Sequence, residues 1–300
     1  MDLVALFYLI DEFCKEFEPK WRQQLVSSGG THRDKPSSLT LSEVLTIMVH
    51  FHQSNHRTFK HYYLDYVCTH LRADFPRLVS YGRFVELMST SALPLTMLLV
   101  SLLASPTTAN YIDSTKLVVC HNRRIRRHRV FRGLAARGKS SMGWFFGFKL
   151  HLIVNERGEL ISFQLTPGNT PDNNIETVTK LARPLHGKLF GDRGYISKDL
   201  FAALWDQGTQ LITGLKKNMK NKLLPIMDKI MLRGRSIIET INDQLKNQEQ
   251  IEHTRHRSPK NFASNLLAGL IAYQLQPKKP SLTFTKPAAA LLTQRLLLAS

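Results

Sequence analysis

Acidic residues are scarce in this chain: 23 Asp and Glu stand against 41 Lys and Arg in 300 residues, a formal charge of +18. A chain so unbalanced cannot neutralise its own cations; the usual partner of such a surface is a polyanion, and composition alone leaves a membrane surface open as well. Cysteine is scarce too. Cys14, Cys68 and Cys120 form no CxxC pair and match no zinc spacing, which argues against a disulfide framework and fits a reducing cytosol. Long apolar runs are missing: "NFASNLLAGLIAYQLQ" is short and is interrupted by Asn265 and Gly269, so no bilayer-spanning segment is expected. The opening "MDLVALFYLIDEFCKEF" carries Asp2 where a signal peptide wants positive charge, and Asp11, Glu12 and Glu16 make it an amphipathic helix. At 43% hydrophobic residues the chain can build a substantial core. The reading is a soluble intracellular protein with a catalytic domain and a smaller attached one.

Residues 1–105 read as helical. Thr40 and Glu43 have the spacing of a capping box ahead of the apolar run Val44, Leu45, Ile47, Met48, Val49 and Phe51. "HYYLDYVCTHL" is another helix, and "SYGRFVELMSTSALPLTMLLVSLLA" gives two more, broken near Pro94. Short helices joined by basic and aromatic residues suit a DNA reader of helix-turn-helix type or a helical cap on the main domain. The character changes near residue 110. "ANYIDSTKLVVC" is β-branched and reads as a strand, and a basic connection follows from His121 to Lys139. "GWFFGFKLHLIVNERGELISFQLTPG" gives a hairpin turning at Asn155–Gly158. Helix, strand, helix, strand and helix then alternate to about Glu249, and Ser258-Pro259 opens one more helix. The expected fold is α/β, a mixed sheet with flanking helices preceded by a helical N-terminal region. The domains expected are residues 1–105, 106–275 and a basic, weakly ordered tail, 276–300, which has no acidic residue.

Two strands end alike. "YID" at 111–113 and "LFGD" at 189–192 each run apolar into one Asp and a turn. In an α/β sheet chemistry collects at the carboxyl ends of strands. Asp113 and Asp192 would share one edge if their strands are parallel neighbours. Carboxylates so close repel unless a cation lies between them, and Mg²⁺ suits such oxygen ligands. A third acid, Glu239, sits among Ile237, Ile238 and Ile241 in "RSIIETINDQLK", with Arg235 four residues before it and Lys246 seven after. Taken singly, Asp113 and Asp192 read as strand-end turn residues, and Glu239 as a surface acid paired with Arg235 or Lys246. The catalytic reading rests on all three appearing in order.

In "HNRRIRRHRVFRGLAARGK", Arg123, Arg124, Arg126, Arg127, Arg129, Arg132, Arg137 and Lys139 stand without an acid. This is either a solvated loop or a phosphate-binding strip. Trp144, Phe145 and Phe146 beside it are buried strand aromatics or base-stacking groups. His121, His128 and His151 fall in no ligand pattern.

Taken together, "YIDST", "GDRGY" and the R-x3-E-x6-K set of Arg235, Glu239 and Lys246 resemble the DDE transposases, whose catalytic domain has an RNase H-like fold. "RGKSSMGWFFGFKLH" and "TPGNTPDN" resemble bacterial insertion sequence family 982 in particular. Leu232 stands where the family motif has a tyrosine. The resemblance implies that Asp113, Asp192 and Glu239 bind two Mg²⁺ or Mn²⁺ ions. It also implies nicking of double-stranded DNA at terminal inverted repeats and joining of the 3′-OH ends to target DNA. Arg235 and Lys246 become phosphate clamps, next to a DNA-binding strip at Arg123, Arg124, Arg126, Arg127 and Arg129. A synaptic homodimer in the bacterial cytoplasm, associated with the nucleoid, is expected. A non-catalytic DNA-binding derivative and a different RNase H-like nuclease are the competing readings.

Overall fold

A computed structural model describes residues 1–27, 37–140, 143–215, 224–252 and 256–282. Its helices before the sheet are α1 (Leu3–Ser27), α2 (Leu41–Gln53), α3 (Phe59–His61), α4 (Cys68–His70), α5 (Tyr81–Thr90) and α6 (Ala92–Leu102). A π-helical segment, Tyr62–Val67, joins α3 to α4. The strands are β1 (Asn110–Cys120), β2 (Ala136–Ser140), β3 (Gly143–Asn155), β4 (Leu160–Pro167), β5 (Gly187–Gly191) and β6 (Thr209–Thr213). Helices α7 (Ile175–Leu181) and α8 (Lys198–Asp206) lie among them, and α9 (Ile226–Arg233), α10 (Ser236–Asn247) and α11 (Pro259–Gln274) follow. Two compact units share these elements and interleave in sequence.

The helical unit is Met1–Leu103, Val118–Ala135 and Asp243–Pro277. The capping box forms as expected. Thr40 Oγ1 accepts from Glu43 N at 3.2 Å, and Glu43 Oε2 accepts from Thr40 N at 2.7 Å. The break between α5 and α6 falls at Ser91 and not at Pro94. Pro94 sits in the first turn of α6, where backbone N–H groups have no intrahelical acceptor and a missing one costs nothing. Helix α11 opens on Ser258 and Pro259 as the sequence predicts. Ala268, Leu270, Ile271 and Ala272 are all fully buried, and α11 packs on α2, α5 and α6. A helix apolar all round is a core helix here. Among the described residues no single helix is long and apolar enough to cross a membrane.

The sheet unit is Ala104–Leu117, Ala136–Asn242 and Lys278–Ser300. Its strand order is β2-β3-β1-β5-β6, with β4 also paired to β3; β1, β5 and β6 are mutually parallel, and β2 and β4 are antiparallel to β3. That is the RNase H-like mixed sheet. The β3–β4 hairpin turns where expected: Asn155 Oδ1 accepts from the N–H groups of Arg157 and Glu159, both at 3.0 Å, and Gly158 takes φ +75°. An Asx turn followed by a left-handed glycine closes the loop without strain. Helices α7 and α8 cover one face, where Ile112, Ile153, Val178, Leu181, Leu189, Leu200 and Leu204 form a closed core. Each such side chain contributes about 1.5–3 kcal/mol on burial.

Two features differ from expectation. The helical segment after Pro225 is two helices, broken between Arg233 and Ser236. Strand β2 lies within the basic connection. It pairs antiparallel with Gly143–Gly147, the first part of β3, while β4 takes Phe148–Val154. "ARGKS" lacks an apolar pattern because it lies at an edge, where charge is tolerated. The tail expected at 276–300 falls mostly on residues 283–300, outside the described residues.

Edge packing at β2 is close. A Cβ on Gly138 would lie 2.1 Å from the carbonyl oxygen of Gly168, and one on Gly168 would lie 2.8 Å from that of Ala136. Gly138→Ala should therefore cost on the order of 1–3 kcal/mol. Gly82→Ala in α5, where a Cβ meets nothing within 4 Å, should gain up to about 1 kcal/mol from helix propensity. Urea unfolding midpoints of the two variants read both effects; an unmoved midpoint for Gly138→Ala would contradict the close packing.

Candidate active site

Parallel pairing of β1 with β5 matches Asn110 to Leu189 and Tyr111 to Phe190. The same register carried two residues further sets Asp113 level with Asp192. Asp113 is still within β1, whereas Asp192 follows the end of β5 as the cap of a short 3₁₀ turn, Arg193–Tyr195. Asp192 Oδ1 accepts from Gly194 N at 2.8 Å, and Asn242 Nδ2 donates to Asp113 Oδ2 at 3.1 Å. Turn residue and site residue are thus one role for Asp192: the Asx turn fixes its carboxylate beside Asp113.

The electrostatics record that proximity. Burial pushes the Asp113 carboxyl up to about 7, and the charges of Asp192 and Asp172 push the same way. The Ser114 backbone N–H and Arg235 oppose them. The pocket is short of positive charge. Tyr195 lies in the core against this pair, 1% exposed, and its hydroxyl finds no hydrogen-bond partner among the described residues. Burial, together with the fields of Asp113, Asp172 and Asp192, raises its pKa far above the usual phenol value. Two carboxylates, a buried orphan hydroxyl and a deficit of positive charge fit one hard divalent cation, which takes one or two carboxylates and completes its shell from water or phosphate.

Glu239 stands apart from them. Arg235 Nη2 donates to Glu239 Oε1 at 2.7 Å, a pair one helical turn apart on the exposed side of α10. Among the described residues no three His, Cys, Asp or Glu side chains gather as metal ligands. Arg235 links the two groups, because its charge also reaches Asp113. Lys246 belongs to the helical unit and pairs with Glu252 at 3.4 Å. Glu252 Oε1 in turn accepts from the backbone N–H of Val118 at 2.9 Å.

The basic strip also lies in the helical unit. Asn122–Arg127 forms a 3₁₀ helix capped by His121, and Arg123, Arg124, Arg126, Arg127 and Arg129 are exposed. Behind them, His128 stacks on Phe131, which packs edge-on to Phe262 of α11. Of the aromatics, Phe145 and Phe146 are buried, whereas Trp144 is 52% exposed. Arg137 lies over the Trp144 ring at 4.8 Å and Lys139 at 5.8 Å.

Three residues near the carboxylates escaped sequence reasoning: Asn242, the buried hydroxyl of Tyr195, and Asp172. Asp172 Oδ1 accepts from Lys149 Nζ at 2.8 Å and from Ser114 Oγ. The signal for it was present in "TPGNTPDN", an Asp after a strand and a Gly/Pro turn, the same design as the other two.

Fold and carboxylate pair together define an RNase H-like domain with an acidic centre at one level of neighbouring parallel strands. The profile of the transposase DDE domain matches residues 103–259, just over half the chain. The chain belongs to that family. No curated protein matches it in sequence. Among solved structures it is similar to a piggyBac transposase in a synaptic complex with hairpin DNA, at 15% identity and a TM-score of 0.39. That match covers 73% of this chain and 52% of the other, so the chain spans about half the length of that transposase.

The orphan hydroxyl gives a test. Tyr195→Phe removes a buried group with no partner, so the metal-free protein should be unchanged or gain about 1 kcal/mol. Thermal melts in EDTA measure it, and a loss of stability would mean the hydroxyl is already bonded.

Proposed function

We propose that this chain is an insertion-sequence transposase of the family 982 type, which nicks terminal inverted repeats and joins the freed 3′-OH ends to target DNA. The observation carrying the reading is the carboxylate pair, Asp113 level with Asp192, inside a domain of the transposase DDE family. Asp113, Asp192 and Glu239 are the proposed ligands of two Mg²⁺ or Mn²⁺ ions. Such ions supply activation of an attacking hydroxyl and stabilisation of the leaving oxygen. The chain's own residues do the rest. Burial of Asp113 and the fixed Asx turn at Asp192 hold two carboxylates oriented before DNA arrives. Arg235, bonded to Glu239 and within reach of Asp113, is suited to exchange that carboxylate for a DNA phosphate. Lys246 is the second proposed clamp. Hydrolysis and strand joining are both phosphoryl transfers, so one set of residues serves both steps.

The proposed DNA surface is the strip Arg123, Arg124, Arg126, Arg127 and Arg129. Among the described residues none of the five makes an ion pair, and all face solvent. The proposal extends to duplex inverted repeats and target DNA as partners, a homodimer that synapses two ends, and action in the bacterial cytoplasm at the nucleoid. Helices of residues 1–105 are the proposed sequence reader.

Two experiments test this reading. Asp192→Asn should abolish 3′-end nicking and strand joining of labelled inverted-repeat DNA in Mg²⁺ while DNA binding persists; full cleavage by that variant would sink the ligand assignment. Replacing Arg123, Arg124, Arg126, Arg127 and Arg129 with Gln should weaken DNA binding and reduce the slope of log affinity against log salt by roughly one for each phosphate no longer neutralised. An unchanged slope would make the strip a bystander.

A further inference from the structure

The carboxylate of Asp172 has no part in the mechanism above, yet its charge acts on Asp113 and Tyr195 from a different element. It sits in the turn between β4 and α7, two residues before the α7 cap Asn174. Close backbone packing holds the start of that turn: Gly168 N donates to Gly147 O at 2.9 Å, and there is no space for a side chain on Gly168. One oxygen of Asp172 takes two donors. Ser114, the residue after Asp113, gives its hydroxyl, and Lys149 of β3 gives its ammonium at 2.8 Å. The Lys149 side chain is 13% exposed and that of Asp172 39%, so water screens the pair from the Asp172 side only.

The consequence is one of charge. Lys149 without Asp172 would be a mostly buried, unopposed cation near Ser114, the neighbour of Asp113, and its field would oppose a divalent cation there. Asp172 neutralises the lysine. The same carboxylate pins Ser114 and with it the end of β1 that carries Asp113. Asp172 acts on Asp113 through Ser114 and through the field of a neutralised lysine.

Resting on the metal-binding reading proposed above, we infer that Asp172 is a positioning residue: its bonds to Ser114 and Lys149 hold Asp113 in place and keep Lys149 from displacing a divalent cation. Groups around a metal ligand commonly matter this way, through orientation and charge.

The test uses the full chain and Mn²⁺ alone, titrated calorimetrically, with thermal melts in EDTA to establish folding. Asp172→Asn keeps an acceptor for Ser114 but leaves Lys149 uncompensated, so Mn²⁺ affinity should fall about tenfold. Lys149→Gln leaves the negative charge unopposed, and affinity should rise about threefold. The double variant Asp172→Asn/Lys149→Gln removes a neutral pair and should return to within about threefold of wild type. A role in folding alone would lower the melting temperature in Asp172→Asn and restore it in the double variant, with Mn²⁺ affinity of the folded protein unchanged throughout. Wild-type affinity in Asp172→Asn, or a double variant as weak as Asp172→Asn, would overturn the inference. If Asp172→Asn does not fold, Lys149→Gln decides: affinity equal to or below wild type would overturn it. Asp192→Asn serves as the reference. Mn²⁺ binding that survives in Asp192→Asn overturns the metal reading itself, and this inference with it, whereas Asp192-dependent binding that ignores Asp172 overturns the inference alone.

Discussion

Parallel strands in register bring side chains of equal height to within a strand spacing of each other, about 4.8 Å. When β1 and β5 pair in this way, Asp113 within β1 comes level with Asp192 just past the end of β5. Two negative charges at that distance in a partly buried site repel strongly. The surrounding structure responds to that repulsion. Asn242 donates to one carboxylate and the backbone of Gly194 to the other. Arg235, just before α10, acts on Asp113, and Lys149 is paired with Asp172. In the proposed function a divalent cation supplies the positive charge that this pair of carboxylates lacks.

The core explains why the arrangement is rigid. Ile112 and Leu189, just before the two aspartates in their strands, are fully buried in one cluster with α7 and α8. Tyr195, three residues past Asp192, is buried in the same cluster. The apolar run that makes each strand therefore also anchors its carboxylate. In the proposed function this rigidity is useful, since fixed groups need no reorganisation between cleavage and joining.

Much of this was legible in sequence because it is local. The Thr40–Glu43 box, the Asn155–Gly158 turn and the strand that runs out at Asp192 depend on residues a few positions apart, whereas the turn expected after Asp113 does not form because β1 continues to Cys120. The parallel adjacency of β1 and β5 was the condition on which the reading of those two aspartates depended, and the strands pair in that way. What was not legible is tertiary. Strand β2 has no apolar pattern, since its pairing comes from the backbone of β3. Asp172 joins the pocket through Ser114 and Lys149, 58 and 23 residues away in sequence. Glu239 was legible as an acid on an apolar helix, but both of its readings used the same neighbours, and the structure records the ion pair with Arg235. The pairing of Lys246 with Glu252 was equally hidden, since Glu252 lies beyond the end of α10.

The central claim is that Asp113 and Asp192 jointly hold a divalent cation. Crystals of the protein grown with Mn²⁺ and measured at the manganese absorption edge address it directly. The account predicts an anomalous peak between these two carboxylates, near the Tyr195 hydroxyl. Manganese bound only elsewhere, with Asp113 and Asp192 turned away from each other, would contradict it.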